Sequence, residues 1–136
     1  MKYTLYKATG EIVSIRDCPD ITEQILDDDI LWIDGEYPPS IYYMDNGVPV
    51  EFPAHSFKYA NFDYSTKTWV EDVKRIKAEV KAKRNTLLSA SDWTQIPNGP
   101  LTAEKQAAWA TYRQALRDIT AQPGYPTDVE WPTVPQ

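Results

Sequence analysis

Residues 71–88, EDVKRIKAEVKAKRNTLL, contain neither glycine nor proline and set Val73, Ile76, Val80, Leu87 and Leu88 at steps of three, four and seven. That spacing lays one apolar stripe along an otherwise polar cylinder, so the stretch predicts an amphipathic helix of about five turns. Glu71 and Asp72 stand at its start and Lys81, Lys83 and Arg84 toward its end, both favourable with the helix dipole. A single helix of this length is marginal in water, so the stripe needs a second surface to cover it.

The covering surface is predicted at about Ala103–Thr120. Thr102 is the natural N-cap, and Pro100 just before it prevents an earlier start. Glu104 in the first turn suits the dipole, although Lys105 stands where a capping box would place Glu or Gln. The apolar face reads Trp109, Tyr112, Leu116 and Ile119, with Ala108 and Ala115 small enough for close approach. Between the helices, SDWTQIPNGPL stops one and starts the next, giving a helical hairpin. The closing residues, QPGYPTDVEWPTVPQ, hold four prolines with Tyr125 and Trp131 among them and predict extended, polyproline-like chain.

Ahead of this hairpin the pattern is one of short strands and turns. KYTLYK and EIVSIR flank Ala8, Thr9 and Gly10 as one hairpin. CPDITEQILDDD reads as a solvated acidic loop or short helix end, and ILWID resumes the strand pattern. Asn46 and Gly47 divide IYYMD from VPVEF, and Asn-Gly adopts the positive φ of a type I′ turn, so a second hairpin follows. Pro49 has no amide hydrogen for a ladder and puts its strand at an edge. A third hairpin is predicted in FKYANFDYSTKTWVED, with Tyr64 and Trp69 across the STK turn. The fold class is therefore α+β: a β-rich module at 1–70, a helical hairpin at 71–121 and an extended Pro/aromatic tail at 122–136.

Charge and chemistry narrow the function. Residues 1–72 carry 14 acidic and 5 basic side chains, net −9, while 73–136 carry 6 and 9, net +3. The acidic half opposes nonspecific binding to nucleic acid or an anionic membrane, which leaves another protein as the expected partner. The basic run at 74–84 reads as a solvated face turned to the acidic module or to an acidic partner. Apolar runs fall far short of the roughly 20 residues that cross a bilayer, and MKYTLYKATG has no apolar signal core, so a soluble intracellular protein is expected. Cys18 is the single cysteine, which excludes an internal disulfide and suits a reducing compartment. His55 has no second histidine or cysteine nearby, and its neighbour Ser56 would point to the opposite face of a strand. Asp27, Asp28 and Asp29 lack the alternating spacing and glycine of a calcium loop. No catalytic, metal or cofactor site is expected.

What remains is aromatic surface: five Trp, nine Tyr and three Phe. Such side chains serve either to complete a small core or to anchor an interface, where Trp and Tyr are enriched. The candidate protein-binding residues are Trp32, Tyr42, Tyr43, Trp69, Trp93 and Trp131, with Trp93, Trp109 and Trp131 also able to stitch the helical hairpin.

RNTLLSASDWTQ, PLTAEKQAAWATYRQALRDI and QPGYPTDVEWPTVP, in this order over about residues 84–135, resemble the bacteriophage tail assembly chaperone family, whose members are often linked to tail fibres. The specific part is a tryptophan turn, a helix with W-x-x-Y-R-x-x-L-R-D spacing and a Pro-aromatic end. Lys105 departs from the acid or amide often found there. The resemblance implies a noncatalytic protein that binds a tail fibre or other tail protein and assists its folding, trimerisation or attachment, in the host bacterial cytoplasm. The alternative is a structural virion component docked permanently on the fibre or baseplate. The first 70 residues lie outside the resemblance, and the client-reading surface is expected there.

Overall fold

The computed structural model describes residues 1–22 and 27–136. The chain divides into two compact units, Met1–Glu71 and Asp72–Gln136. Short antiparallel strands fill the first and two helices the second, the expected α+β class.

In the first unit β1 (Lys2–Lys7) lies between β2 (Ile12–Asp17) and β3 (Ile30–Asp34), antiparallel to both. Its residues Tyr3, Thr4, Leu5 and Tyr6 are all buried, because a central strand is covered on both faces and side chains alternate between them. Tyr3 and Leu5 pack with Cys18 and Ile21. On the opposite face Tyr6 packs with Ile12 and Met44. Thr4 is fully buried, yet its hydroxyl is satisfied twice: Oγ1 donates to the Gly35 carbonyl and accepts from the Tyr37 amide, both at 2.9 Å. That pair of bonds fixes where the chain leaves β3. The EQIL part of the predicted acidic loop, Glu23 to Leu26, lies outside the described residues.

The β1–β2 turn needs its glycine. Gly10 has φ +101°, and its carbonyl accepts from the Met44 amide at 2.9 Å. A Cβ there would stand 2.2 Å from the Met44 carbonyl oxygen. Met44 belongs to β4 (Tyr42–Asp45), which pairs with β5 (Val48–Glu51) around Asn46 and Gly47, both at positive φ, as the Asn-Gly signal predicts. Pro49 faces Met44 on β5, whose only neighbour among the described residues is β4.

β6 (Ala60–Asp63) and β7 (Thr68–Glu71) form the third hairpin, with one correction: Trp69 faces Phe62, and Tyr64 is in the turn. The cause is Asp63. Its Oδ1 accepts from the Ser65 amide at 2.8 Å, the Ser65 hydroxyl at 2.6 Å and the Thr66 amide at 3.3 Å, which starts the turn before Tyr64 can enter the ladder.

In the second unit α1 spans Val73–Ala90 with Asp72 as N-cap, its Oδ1 accepting from the Arg75 amide at 3.0 Å. Because the helix runs past Leu88, Lys81, Lys83 and Arg84 are not in its last turn, which holds no cation. Val73, at the exposed first turn, stands outside the core that Val80, Leu87 and Leu88 join. α2 spans Ala103–Arg117 and continues as a 3₁₀ turn at Asp118–Ala121. Thr102 caps it as expected, accepting from the Lys105 amide at 3.3 Å. Tyr112, Leu116 and Ile119 form the buried centre, packed by Val80, Leu87, Leu88, Trp109, Tyr125, Val129 and Trp131.

The tail contributes to that core. Gln122–Asp128 form turns where extended chain was expected, with the Asp128 amide donating to the Gly124 carbonyl at 2.7 Å. The Gln122 side chain then grips the Glu130 main chain, donating to its carbonyl and accepting from its amide, both at 2.9 Å. This fold-back brings Tyr125, Val129 and Trp131 onto the helices; 129–136 have no regular structure.

Candidate protein-interaction surfaces

The connector between the helices is built residue by residue from the polar side chains of SDWTQ. Ser91 ends α1, its hydroxyl donating to the carbonyls of Leu87 and Leu88 at 2.8 and 3.0 Å. Asp92–Gln95 form a 3₁₀ turn in which the Thr94 hydroxyl, buried, donates to the Ser91 carbonyl at 2.6 Å. Gln95 Nε2 reaches the Gln106 carbonyl on α2 at 3.3 Å.

Arg113 locks this connector from α2. Its Nη1 donates to the Leu88 carbonyl at 2.6 Å and to Ser91 Oγ at 2.8 Å, and its Nη2 pairs with Asp92 Oδ1 at 2.6 Å. The negative end of α1, which lacks a cation of its own, thus receives one from the neighbouring helix. The Y-R-x-x-L spacing puts Arg113 beside Tyr112 and Leu116, but no local pattern told that the residue would be buried, 8% exposed, with its guanidinium bonded to Leu88, Ser91 and Asp92.

Trp93 sits on this frame. Its ring lies 6.3 Å from that of Trp109, which meets Tyr112 edge-on at 5.5 Å. One side of Trp93 therefore joins the hairpin while 47% of the residue stays exposed. With Ile96, Pro100, Leu101 and Gln106 it lines a shallow cleft of about 230 Å³. That is below the roughly 300–1,000 Å³ of small-molecule and cofactor sites. Ile96, exposed beside it, carried no signal in the sequence beyond its place ahead of Pro97.

The other candidates separate by exposure. Trp131 is half-buried in the helical core, with Lys83 Nζ 4.2 Å above its ring. Tyr43 is core: it is buried against Phe52 and Phe62 at 5.3 and 4.8 Å and presents no free face. Trp69 is half-buried against Phe52, Phe62 and His55, and its Nε1 donates to the Pro53 carbonyl at 2.6 Å. Tyr42 is half-buried, its hydroxyl 3.3 Å from Glu51, whose negative charge, with burial, holds the phenol above its ordinary pKa. Trp32, on β3, meets Tyr3 edge-on at 5.6 Å and remains 42% exposed. Trp32 and Trp93 thus keep the most free surface of the six, one in each unit.

With this geometry in place, comparison with known families bears on the second unit. Residues 77–136 match the phage tail assembly chaperone protein family. The matched segment runs from the second turn of α1 through the Arg113-locked connector and α2 to the end of the folded-back tail. It includes every piece of the resemblance seen in the sequence and starts earlier, at residue 77 rather than 84. The strands of the first unit lie outside it. Neither the curated proteins nor the solved structures gave a match to the chain. Among the described residues no helix is long and apolar enough to cross a membrane, and no three His, Cys, Asp or Glu side chains gather around a common point.

Proposed function

We propose that this protein is a noncatalytic chaperone that binds a tail fibre or another tail protein of a phage and assists its folding, trimerisation or attachment in the host cytoplasm. The observation that carries this reading is the family match over residues 77–136. A tail fibre is a long assembly whose chains must come into register before they close, and strand edges and apolar surface are aggregation hazards during that interval. A small protein with exposed aromatic anchors covers such surface without nucleotide, provided it binds the unassembled state more tightly than the finished one. Trp93 and Ile96 in the second unit and Trp32 in the first supply such anchors.

Coexpression with the phage's tail proteins tests this. The expected result is that at least one becomes soluble and correctly assembled only when this chain is present; a full set that assembles equally well without it sinks the proposal. Mass spectrometry of purified particles examines departure after assembly. Stoichiometric presence would make the protein a structural part of the tail rather than a transient chaperone.

A further inference from the structure

We propose that the outer edge of β3 accepts an extended segment of the client as an added strand, and that the segment carries Lys or Arg at its ends. This rests on the chaperone reading and names how the client is held.

Among the described residues β3 has β1 as its only neighbour. The Gly35 amide donates to the Lys2 carbonyl at 2.8 Å, and hydrogen-bonded pairs alternate along an antiparallel ladder. With Tyr3 opposite Asp34 and Leu5 opposite Trp32, the main-chain groups of Trp32 and Asp34 face away from β1. They are a template for another strand. Leu31 and Trp32, 45% and 42% exposed, point to opposite faces and offer apolar contact on both sides of an incoming chain. The strand ILWID has no proline, lysine or bulge to blunt its edge, whereas β5 carries Pro49.

Charge identifies the occupant. Asp28 and Asp29 precede the strand and Asp34 ends it. The cations on the neighbouring strand are paired, Lys2 with Glu36 at 2.5 Å and Lys7 with Glu11 at 2.7 Å. A second copy of β3 added antiparallel about Leu31, the register that matches outward-facing residues, would set Asp28 against Asp34. Like charges placed across a ladder are destabilising, so the edge rejects itself and favours a basic-ended segment of another protein.

The test uses the full chain and two peptides, KVTVTVK and EVTVTVE. Amide exchange should slow at Trp32 and Asp34 with KVTVTVK, which should bind at least about tenfold more tightly than EVTVTVE, with the preference shrinking as salt rises. Asp29→Lys with Asp34→Lys should reverse the preference; both positions are exposed, so the fold is retained. Equal affinities, an unreversed preference, or protection elsewhere would overturn the inference. Trp32→Pro removes an outward-facing donor while leaving the β1 ladder bonds in place. If a client is rescued by the native chain and equally by this variant, the strand inference fails and the chaperone reading stands. If the native chain rescues no tail protein, the chaperone reading fails and the peptide measurement alone decides the edge.

Discussion

In Asp72–Gln136 one cluster around Tyr112, Leu116 and Ile119 gathers side chains from both helices and the tail, whereas Met1–Glu71 divides its buried side chains between the two faces of β1 and a separate group of aromatic rings. The helical unit then fixes its connector with side-chain polar bonds, chiefly from Arg113 and Ser91. The strand unit fixes two of its turns with backbone conformations that few residues adopt, at Gly10, Asn46 and Gly47, and only the third with a side chain, Asp63. A single shared core concentrates stability in a few central side chains. Several small cores place it in the turns and in the strand they surround, and β3 is left with β1 as its only neighbour among the described residues.

The largest expected effect is at the centre of the shared core. Leu116 is fully buried, so Leu116→Ala should cost about 3–5 kcal/mol, while Leu5→Ala in the smaller cluster should cost about 2–3 kcal/mol. Denaturant unfolding followed by the helical signal and by strand-unit fluorescence reads the two; equal losses would break the contrast. Next comes Gly10→Ala, where the positive φ and the Met44 carbonyl both oppose a Cβ, at a cost of about 2–3 kcal/mol. In the helical connector Gly99 lacks a positive φ and a Cβ would meet the Ile96 carbonyl at 3.0 Å, so Gly99→Ala should cost less, about 1 kcal/mol. The reverse order would mean that the helical connector, not the strand turn, depends on its glycine.

This contrast also decides what could be read from the residues alone. Helix periodicity and caps are local, so α1, α2, Thr102 and the family's tryptophan turn were all legible. The Asn-Gly turn was legible for the same reason. The fold-back of the tail depends on Gln122 gripping Glu130 and on a core it helps complete, and prolines in isolation argue for extended chain. Tyr43 and Trp32 are both aromatic residues in strands, and only the packing of Phe52 and Phe62 over the first distinguishes core from surface. Arg113 was visible as a spacing but not as a clamp, because its partners are main-chain and side-chain atoms more than twenty residues away.

Polar satisfaction gives the middle-sized effects. Arg113→Met keeps apolar bulk but leaves the Leu88 carbonyl without its charged donor, and should cost about 2 kcal/mol, visible as a lower unfolding midpoint of the helices. Thr4→Val keeps the shape and strands the Gly35 carbonyl and the Tyr37 amide, at about 1–2 kcal/mol in the strand unit. A Thr4→Val loss exceeding that of Arg113→Met would show that the strand unit, too, relies on side-chain polar bonds more than on its turns.

The smallest effect is one of pH, and it belongs to the strand unit. Asp63 accepts the Ser65 hydroxyl and the Ser65 and Thr66 amides, which hold its carboxyl below the ordinary value of 3.8. A carboxylate lowered on folding stabilises the fold above its unfolded pKa, and that contribution is lost as pH falls through the folded value. Asp63→Asn keeps an acceptor oxygen but has no titration. The stability difference between the native chain and this variant should therefore be constant above about pH 5 and shrink as pH falls below about 4. Asp20, lowered by its bonds from Thr22, is in the same unit, so the third hairpin is not its only acid-sensitive turn. Unfolding followed by Trp69 fluorescence from pH 7 to about pH 2 measures the difference. A difference that stays constant through this range would mean that the Asp63 turn is held by hydrogen-bond geometry alone, with its negative charge contributing nothing.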